Sequence, residues 1–151
     1  MTIFEHLQDL EARVGQSIGT SDWITIDQSR IDRFAEATGD HQWIHVDPER
    51  ARSGPFGTTV AHGFLTLSLL PAFFATGFEI RRSGLGVNYG LNKVRFPAPV
   101  PVGSRLRAHF RLLGYEGVDN GGAQLTIEVS VEREGSAKPV CVAESITRRY
   151  P

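Results

Sequence analysis

The chain has very little cysteine, net charge or uninterrupted apolar sequence, and each shortage excludes a class of protein. Its one cysteine, Cys141, cannot close an intramolecular disulfide, and no cysteine/histidine cluster has zinc-ligand spacing, so a disulfide scaffold and a structural metal site both lack support. Sixteen basic and 17 acidic residues leave a net charge of −1, which gives no electrostatic reason to expect a nucleic-acid or membrane-surface partner. The opening Met1-Thr2-Ile3-Phe4-Glu5-His6 lacks the basic start and apolar run of a secretion signal. The longest apolar stretch, Phe64 to Phe78, is interrupted by Thr66, Ser68, Pro71, Thr76 and Gly77 and is too short to span a bilayer comfortably. These features predict one domain over residues 1–151 in a reducing, cytoplasmic compartment, with no linker or internal repeat.

What is present falls into two halves. Phe4, Leu7, Leu10 and Val14 recur at helical spacing and predict a short helix ending at Gly15; Trp23 to Ile26 reads as a strand. Asp27 is placed to cap a second helix, with Ile31, Phe34, Ala35 and Thr38 on one face and Gly39 as its stop. Asp47-Pro48 has the chemistry of another helix start, and Ser53 to Gly57 that of a loop. From about His62 to Thr76 the sequence is apolar on nearly every side, which predicts a long buried helix with a kink or early end at Pro71.

Beyond Gly84 the period becomes two. Leu85, Val87, Tyr89 and Leu91 alternate with small or polar residues; Leu106 to Leu112 and Leu125 to Val131 alternate with charged or polar ones, and Asp119-Asn120-Gly121-Gly122 signals a hairpin between them. That pairing brings arginines of one strand near glutamates of the next. Val140 to Ala143 is continuously apolar and predicts a strand covered on both faces. The sum is an α+β architecture, an antiparallel sheet wrapped around one long helix, whose uncovered edge predicts a homodimer joined sheet to sheet.

The run from Ala37 to Pro48 carries the chemistry. Gly39 ends a helix, Asp40 emerges into a short loop, and His45 follows five residues later. A carboxylate beside an imidazole supplies a proton acceptor and a proton donor to one pocket, as adding water across a double bond requires. On spacing alone the same residues read more readily as a turn cap and a satisfied interior histidine.

Gly39-Asp40, His45, Asp47-Pro48, Ala51, Gly57 and Val60-Ala61-His62-Gly63 together closely resemble the MaoC-like, (R)-specific enoyl-thioester hydratases of the hotdog fold. Phe96-Pro97-Ala98-Pro99-Val100-Pro101-Val102-Gly103 extends the resemblance, above all to small bacterial 3-hydroxyacyl-thioester dehydratases. The resemblance implies a single hotdog domain and reversible syn hydration of trans-2-enoyl thioesters in fatty-acid metabolism, on coenzyme A or an acyl carrier protein, with neither cofactor nor metal. It implies Asp40 and His45 as the catalytic pair and the Gly63 N–H as holder of the thioester oxygen, a role suited to a helix start. Gln42 and Trp43 depart from the asparagine and proline usual in the motif.

Other chemistry-bearing residues are assigned to structure. His62 is read as a helix-start hydrogen-bonding residue, His41 as peripheral, and Lys93 and Arg95 as a solvated strand face. One side of the helix bearing Phe64, Leu67, Leu70, Phe73 and Phe74 is read as a candidate acyl tunnel. Two other functions fit the fold: a non-catalytic acyl-thioester-binding subunit, and a hotdog acyl-CoA thioesterase.

Overall fold

Alternating side chains build the sheet in the computed structural model, which describes residues 1–151. The strands are β1 (Thr2–Phe4), β2 (Ser17–Thr20), β3 (Ile24–Ile26), β4 (Phe78–Ile80), β5 (Leu85–Arg95), β6 (Ser104–Val118), β7 (Gly122–Arg133) and β8 (Cys141–Tyr150). The helices are α1 (Gln28–Thr38), α2 (Trp43–Val46), α3 (Pro48–Arg52), α4 (Gly63–Ser68) and α5 (Leu70–Gly77), and Leu7–Arg13 forms a 3-10 helix. Strands of the main sheet run antiparallel in the order β2-β6-β7-β8-β5, with β3 also paired to β6. Leu106, Ala108, Phe110 and Leu112 of β6 and Leu125, Ile127, Val129 and Val131 of β7 are all buried. They form one core with Leu65, Leu69, Leu70, Phe73 and Phe74 of α4 and α5. Register shifts in β2, β5 and β6 add the local twist that lets a sheet curl around a helix.

The β6–β7 hairpin turns where Asn120 and Gly121 take left-handed conformations, at φ 62° and 71°. Its register sets Arg107 opposite Glu132 and Arg111 opposite Glu128. Arg107 and Glu132 pair at 3.2 Å, whereas Arg111 turns its Nε to the Gly15 carbonyl.

Several expectations need correction. The interruption expected at Pro71 falls at Leu69, so the central helix is two short helices and not one long one, the proline being accommodated in the first turn of α5. Nor is it buried all round: Phe64 is 70 % exposed. The N-terminal segment is not an α-helix through Phe4 and Val14. Phe4 ends β1, which pairs in parallel with β4, and only Leu7 and Leu10 of the 3-10 helix are buried. β8 is not fully covered on both faces, since Cys141 and Ala143 are buried while Val142 and Glu144 are only partly so, and it runs on to Tyr150. No helix is long and apolar enough to cross a membrane.

One close approach holds the sheet to the helix end. A Cβ on Gly19 of β2 would overlap the backbone carbonyl of Gly77, whereas one on Gly117 of β6 meets nothing within 4 Å. Gly19→Ala is therefore expected to cost about 1–3 kcal/mol and lower the melting temperature by several degrees. Gly117→Ala should leave it near the parental value; equal melting temperatures for the two variants would contradict the close approach.

Candidate active site

Local capping decides where Asp40 appears. The Asp27 carboxylate accepts the Arg30 N–H at 2.8 Å and opens α1, and Gly39, at φ 79°, closes it by donating its N–H to the Ala35 carbonyl. Asp40 then lies exposed, its Oδ1 accepting the Gln42 N–H at 3.3 Å. The single turn of α2 carries His45 inward, to 7 % exposure. Gln28 fastens that turn, donating Nε2–H to the His45 carbonyl at 2.8 Å and accepting the Thr59 hydroxyl at 2.5 Å. Gln42 contributes through its backbone. Trp43, in place of a rigid proline, packs its ring on Gly54 and under the Arg50 guanidinium.

The His45 ring is set by one hydrogen bond. Its Nδ1 lies 2.7 Å from the Val60 carbonyl oxygen, which can only accept, so Nδ1 carries the proton and Nε2 of the neutral ring is a bare lone pair. Val60 is fixed by its own N–H on the Ile44 carbonyl, and its neighbours are stitched to the Val100–Val102 segment. Burial pushes the His45 pKa down most strongly, and the Val60 bond opposes it; His62 pushes further down, Asp40 pulls up, and the net value lies below the usual 6.5.

His62 is the residue sequence reasoning undervalued. It is 3 % exposed, stacks on His45 with centroids 3.8 Å apart and planes inclined by 24°, and packs against Phe34 on its other neighbour side. Its Nε2–H donates to the Asp40 backbone carbonyl at 3.0 Å, so one ring orients the imidazole and ties down the carboxylate's loop. It stands at the start of α4 and hydrogen-bonds there, as its sequence reading has it, but its side chain bonds the Asp40 loop and does not cap the helix. Its position just before Gly63 was the only available signal.

An Asp40 oxygen and nitrogens of His45 and His62 lie within 4.8 Å of one another, a donor set that invites a metal. The stack opposes chelation by both rings. Planes so close to parallel meet only roughly 8 Å from the ring centres, whereas a metal must lie in each ring plane about 2 Å from its nitrogen.

Gly63 is the first residue of α4, where no carbonyl within the helix is available to its N–H. With His45, Ile44, Thr66, Phe96 and Val140 it lines a cleft of about 320 Å³. The Phe96 ring covers it closely, 3.0 Å from where a Cβ would be. The structure therefore brings His45 and Gly63 into one cleft and Asp40 up to His45 from the exposed loop. His41 instead approaches Glu36 at the surface, and Lys93 pairs with Glu144 at 3.5 Å on the strand face.

A wrapped antiparallel sheet with an Asp/His pair ahead of its helix defines the class, and comparison with known proteins gives the family. The MaoC like domain matches residues 9–134, and the chain belongs to that family, with its hotdog fold. It is 60 % identical to 3-hydroxyacyl-thioester dehydratase Z of Mycobacterium tuberculosis, over 98 % of each chain. It is 52 % identical to nodulation protein N of Rhizobium leguminosarum, over 93 % of this chain and 89 % of that one. Among solved structures, the unliganded (R)-hydratase of Pseudomonas aeruginosa superposes with a TM-score of 0.69 at 25 % identity, covering 89 % of this chain and 79 % of its own.

The two contributions of His62 are separable. His62→Gln keeps a distal N–H without the ring, and His62→Phe keeps the ring without the donor. Each is expected to lower kcat roughly 10- to 100-fold with KM little changed, since misplacement of a reacting group falls on the chemical step. Both should move the acid limb of the pH profile, because His62 helps hold down the His45 pKa. A parental kcat and pH profile in both variants would reduce His62 to a packing residue.

Proposed function

We propose that the chain catalyses reversible syn hydration of trans-2-enoyl thioesters to (R)-3-hydroxyacyl thioesters, with Asp40 and His45 as the catalytic pair and the Gly63 N–H as oxyanion donor. The observation that carries this reading is a buried His45 whose Nδ1 is taken by Val60, leaving Nε2 of the neutral ring bare, with a ring nitrogen within 4.8 Å of an Asp40 carboxylate oxygen. That space accepts one water bonded to both groups. His45 Nε2 takes a proton as the water oxygen bonds to C3, and the alkene electrons move through C2 to the thioester oxygen. Gly63 N–H stabilises the negative charge there; one such donor is worth on the order of 3 kcal/mol. The charge returns to C2, which takes the proton from His45 Nε2. Water oxygen and proton thus arrive on one face, and the enzyme ends as it began. Asp40 orients the water and stabilises the transient imidazolium.

The names of the relatives support the reaction, for they include a 3-hydroxyacyl-thioester dehydratase and an (R)-specific enoyl-CoA hydratase. The thioester is carried on coenzyme A or an acyl carrier protein. The core draws on residues from Phe4 to Ala143, which supports one domain over 1–151. A reducing cytoplasm suits the single buried thiol of Cys141.

We also infer a homodimer joined along β5. This strand ends the sheet with its outer edge unpaired, and Leu85, Val87, Tyr89 and Leu91 are each more than 40 % exposed. An apolar free edge is a surface that a second copy covers. Light scattering is expected to give twice the chain mass for the parent and the single mass for Val87→Lys; a monomeric parent would contradict the inference.

Purified protein given crotonyl-CoA should remove the enoyl chromophore without releasing thiol, which separates hydration from thioester hydrolysis and from an inert binding subunit. Asp40→Asn and His45→Gln should each lower turnover about 100-fold or more at nearly unchanged melting temperature, with a double loss far below their product. Because only neutral His45 can accept the proton, kcat/KM should hold steady through neutral pH and fall on acidification below 6.5. Parental turnover in Asp40→Asn would remove it from the pair.

A further inference from the structure

A cation without a counter-ion lies farther along the same helices. Arg149, near the end of β8, is half-buried, and none of the ion pairs in the chain includes it. Its Nε is buried with no hydrogen-bond partner, and so is the hydroxyl of Thr147, a residue 3 % exposed. Residues two apart on a strand share a face, and the register sets Gly86 opposite Arg149 and Asn88 opposite Thr147. Gly86 makes room for the guanidinium, since a Cβ there would sit 2.7 Å from Arg149 Nη1. Asn88, Thr147 and Arg149 form the polar wall of a cavity of about 290 Å³, and Phe74, Phe78 and Ile80 are on its apolar side.

An unpaired guanidinium among aromatic side chains keeps its desolvation cost, which an anion in the cavity would offset. Its planar fork matches a carboxylate or phosphate, and the hydroxyl and amide beside it add donors. A second cavity, of about 470 Å³, shares Pro71 and Asn88 with the first and runs back to Phe64, next to Gly63. Pro71 to Ala75 lies roughly 12–18 Å along the helices from Gly63, at 1.5 Å of rise per residue.

We propose that Arg149, with Thr147 and Asn88, forms an anion subsite that receives a carboxylate or phosphate at the far end of the thioester substrate. The proposal rests on the hydration reading for the identity of its ligand. The anion has two possible sources, a terminal carboxylate on the acyl chain or a phosphate of the carrier arm, and both present the same chemistry to Arg149.

Binding calorimetry with unreactive saturated thioesters tests the subsite apart from turnover. Three probes serve: a long-chain acyl-CoA ending in a carboxylate, the same chain ending in methyl, and the methyl-ended acyl group on pantetheine without phosphates. If the acyl end supplies the anion, Arg149→Met weakens only the carboxylate-ended probe, about tenfold or more. If the carrier arm supplies it, Arg149→Met weakens both CoA probes and spares the pantetheine one. Thr147→Val should shift the same probe by a smaller factor, and carries the test if Arg149→Met fails to fold. Affinities within twofold for all three probes overturn the subsite, as does conversion of a dimeric parent to a monomer by Arg149→Met, which assigns the anion to a second copy. Loss of crotonyl-CoA hydration in the parent would instead overturn the reaction assigned above while leaving these binding results to stand.

Discussion

Because a carbonyl oxygen has no proton to give, the 2.7 Å contact between Val60 and His45 Nδ1 decides which nitrogen of the imidazole is free to react. Much of the site serves that contact. The Val60 segment is held between α2 and the Pro101 loop, so its carbonyl is presented at a fixed angle. Gln28 holds the turn bearing His45 from the side of α1. A buried bond of this kind is costly to break, since the abandoned carbonyl would lose its partner away from water.

The two catalytic candidates occupy opposite environments, and their difference is useful. His45 is buried and kept neutral; Asp40 is exposed and stays accessible to incoming water. His62 reconciles them by stacking on one and hydrogen-bonding the backbone of the other. Protonation of His45 beside a second imidazole is disfavoured at rest, so the positive charge gained in the reaction is readily given up again. Such an arrangement suits a group that must take a proton and return it within one turnover.

Much of the fold was legible because its signals are local. The Asp27 cap, the Gly39 stop, the Asn120-Gly121 turn and the alternation of β6 and β7 each depend on neighbouring residues. What escaped was set by distant contacts. β1 exists through its pairing with β4 more than 70 residues away, and no periodicity in Thr2–Phe4 announces that. The uncovered Phe64 looked like core because apolarity does not reveal what covers it. At the site, Asp40, His45 and Gly63 stood out through motif and chemistry, while Gln28 and His62 did not, since their partners lie 17 and 22 residues away. Arg149 was invisible for the same reason: a lone arginine in a strand is ordinary until the cavity beside it is known.

Proton transfer at this site depends on the tautomer of His45. Nitrogen-15 NMR of the histidine-labelled protein, with His45 assigned from the His45→Gln variant, reads the protonation of each ring nitrogen directly. At pH 7 the expected spectrum shows Nδ1 protonated and Nε2 bare, with exchange of the Nδ1 proton slowed by the bond to Val60. An imidazolium at pH 7, or a neutral ring protonated on Nε2, would contradict the proton-carrying role assigned to it.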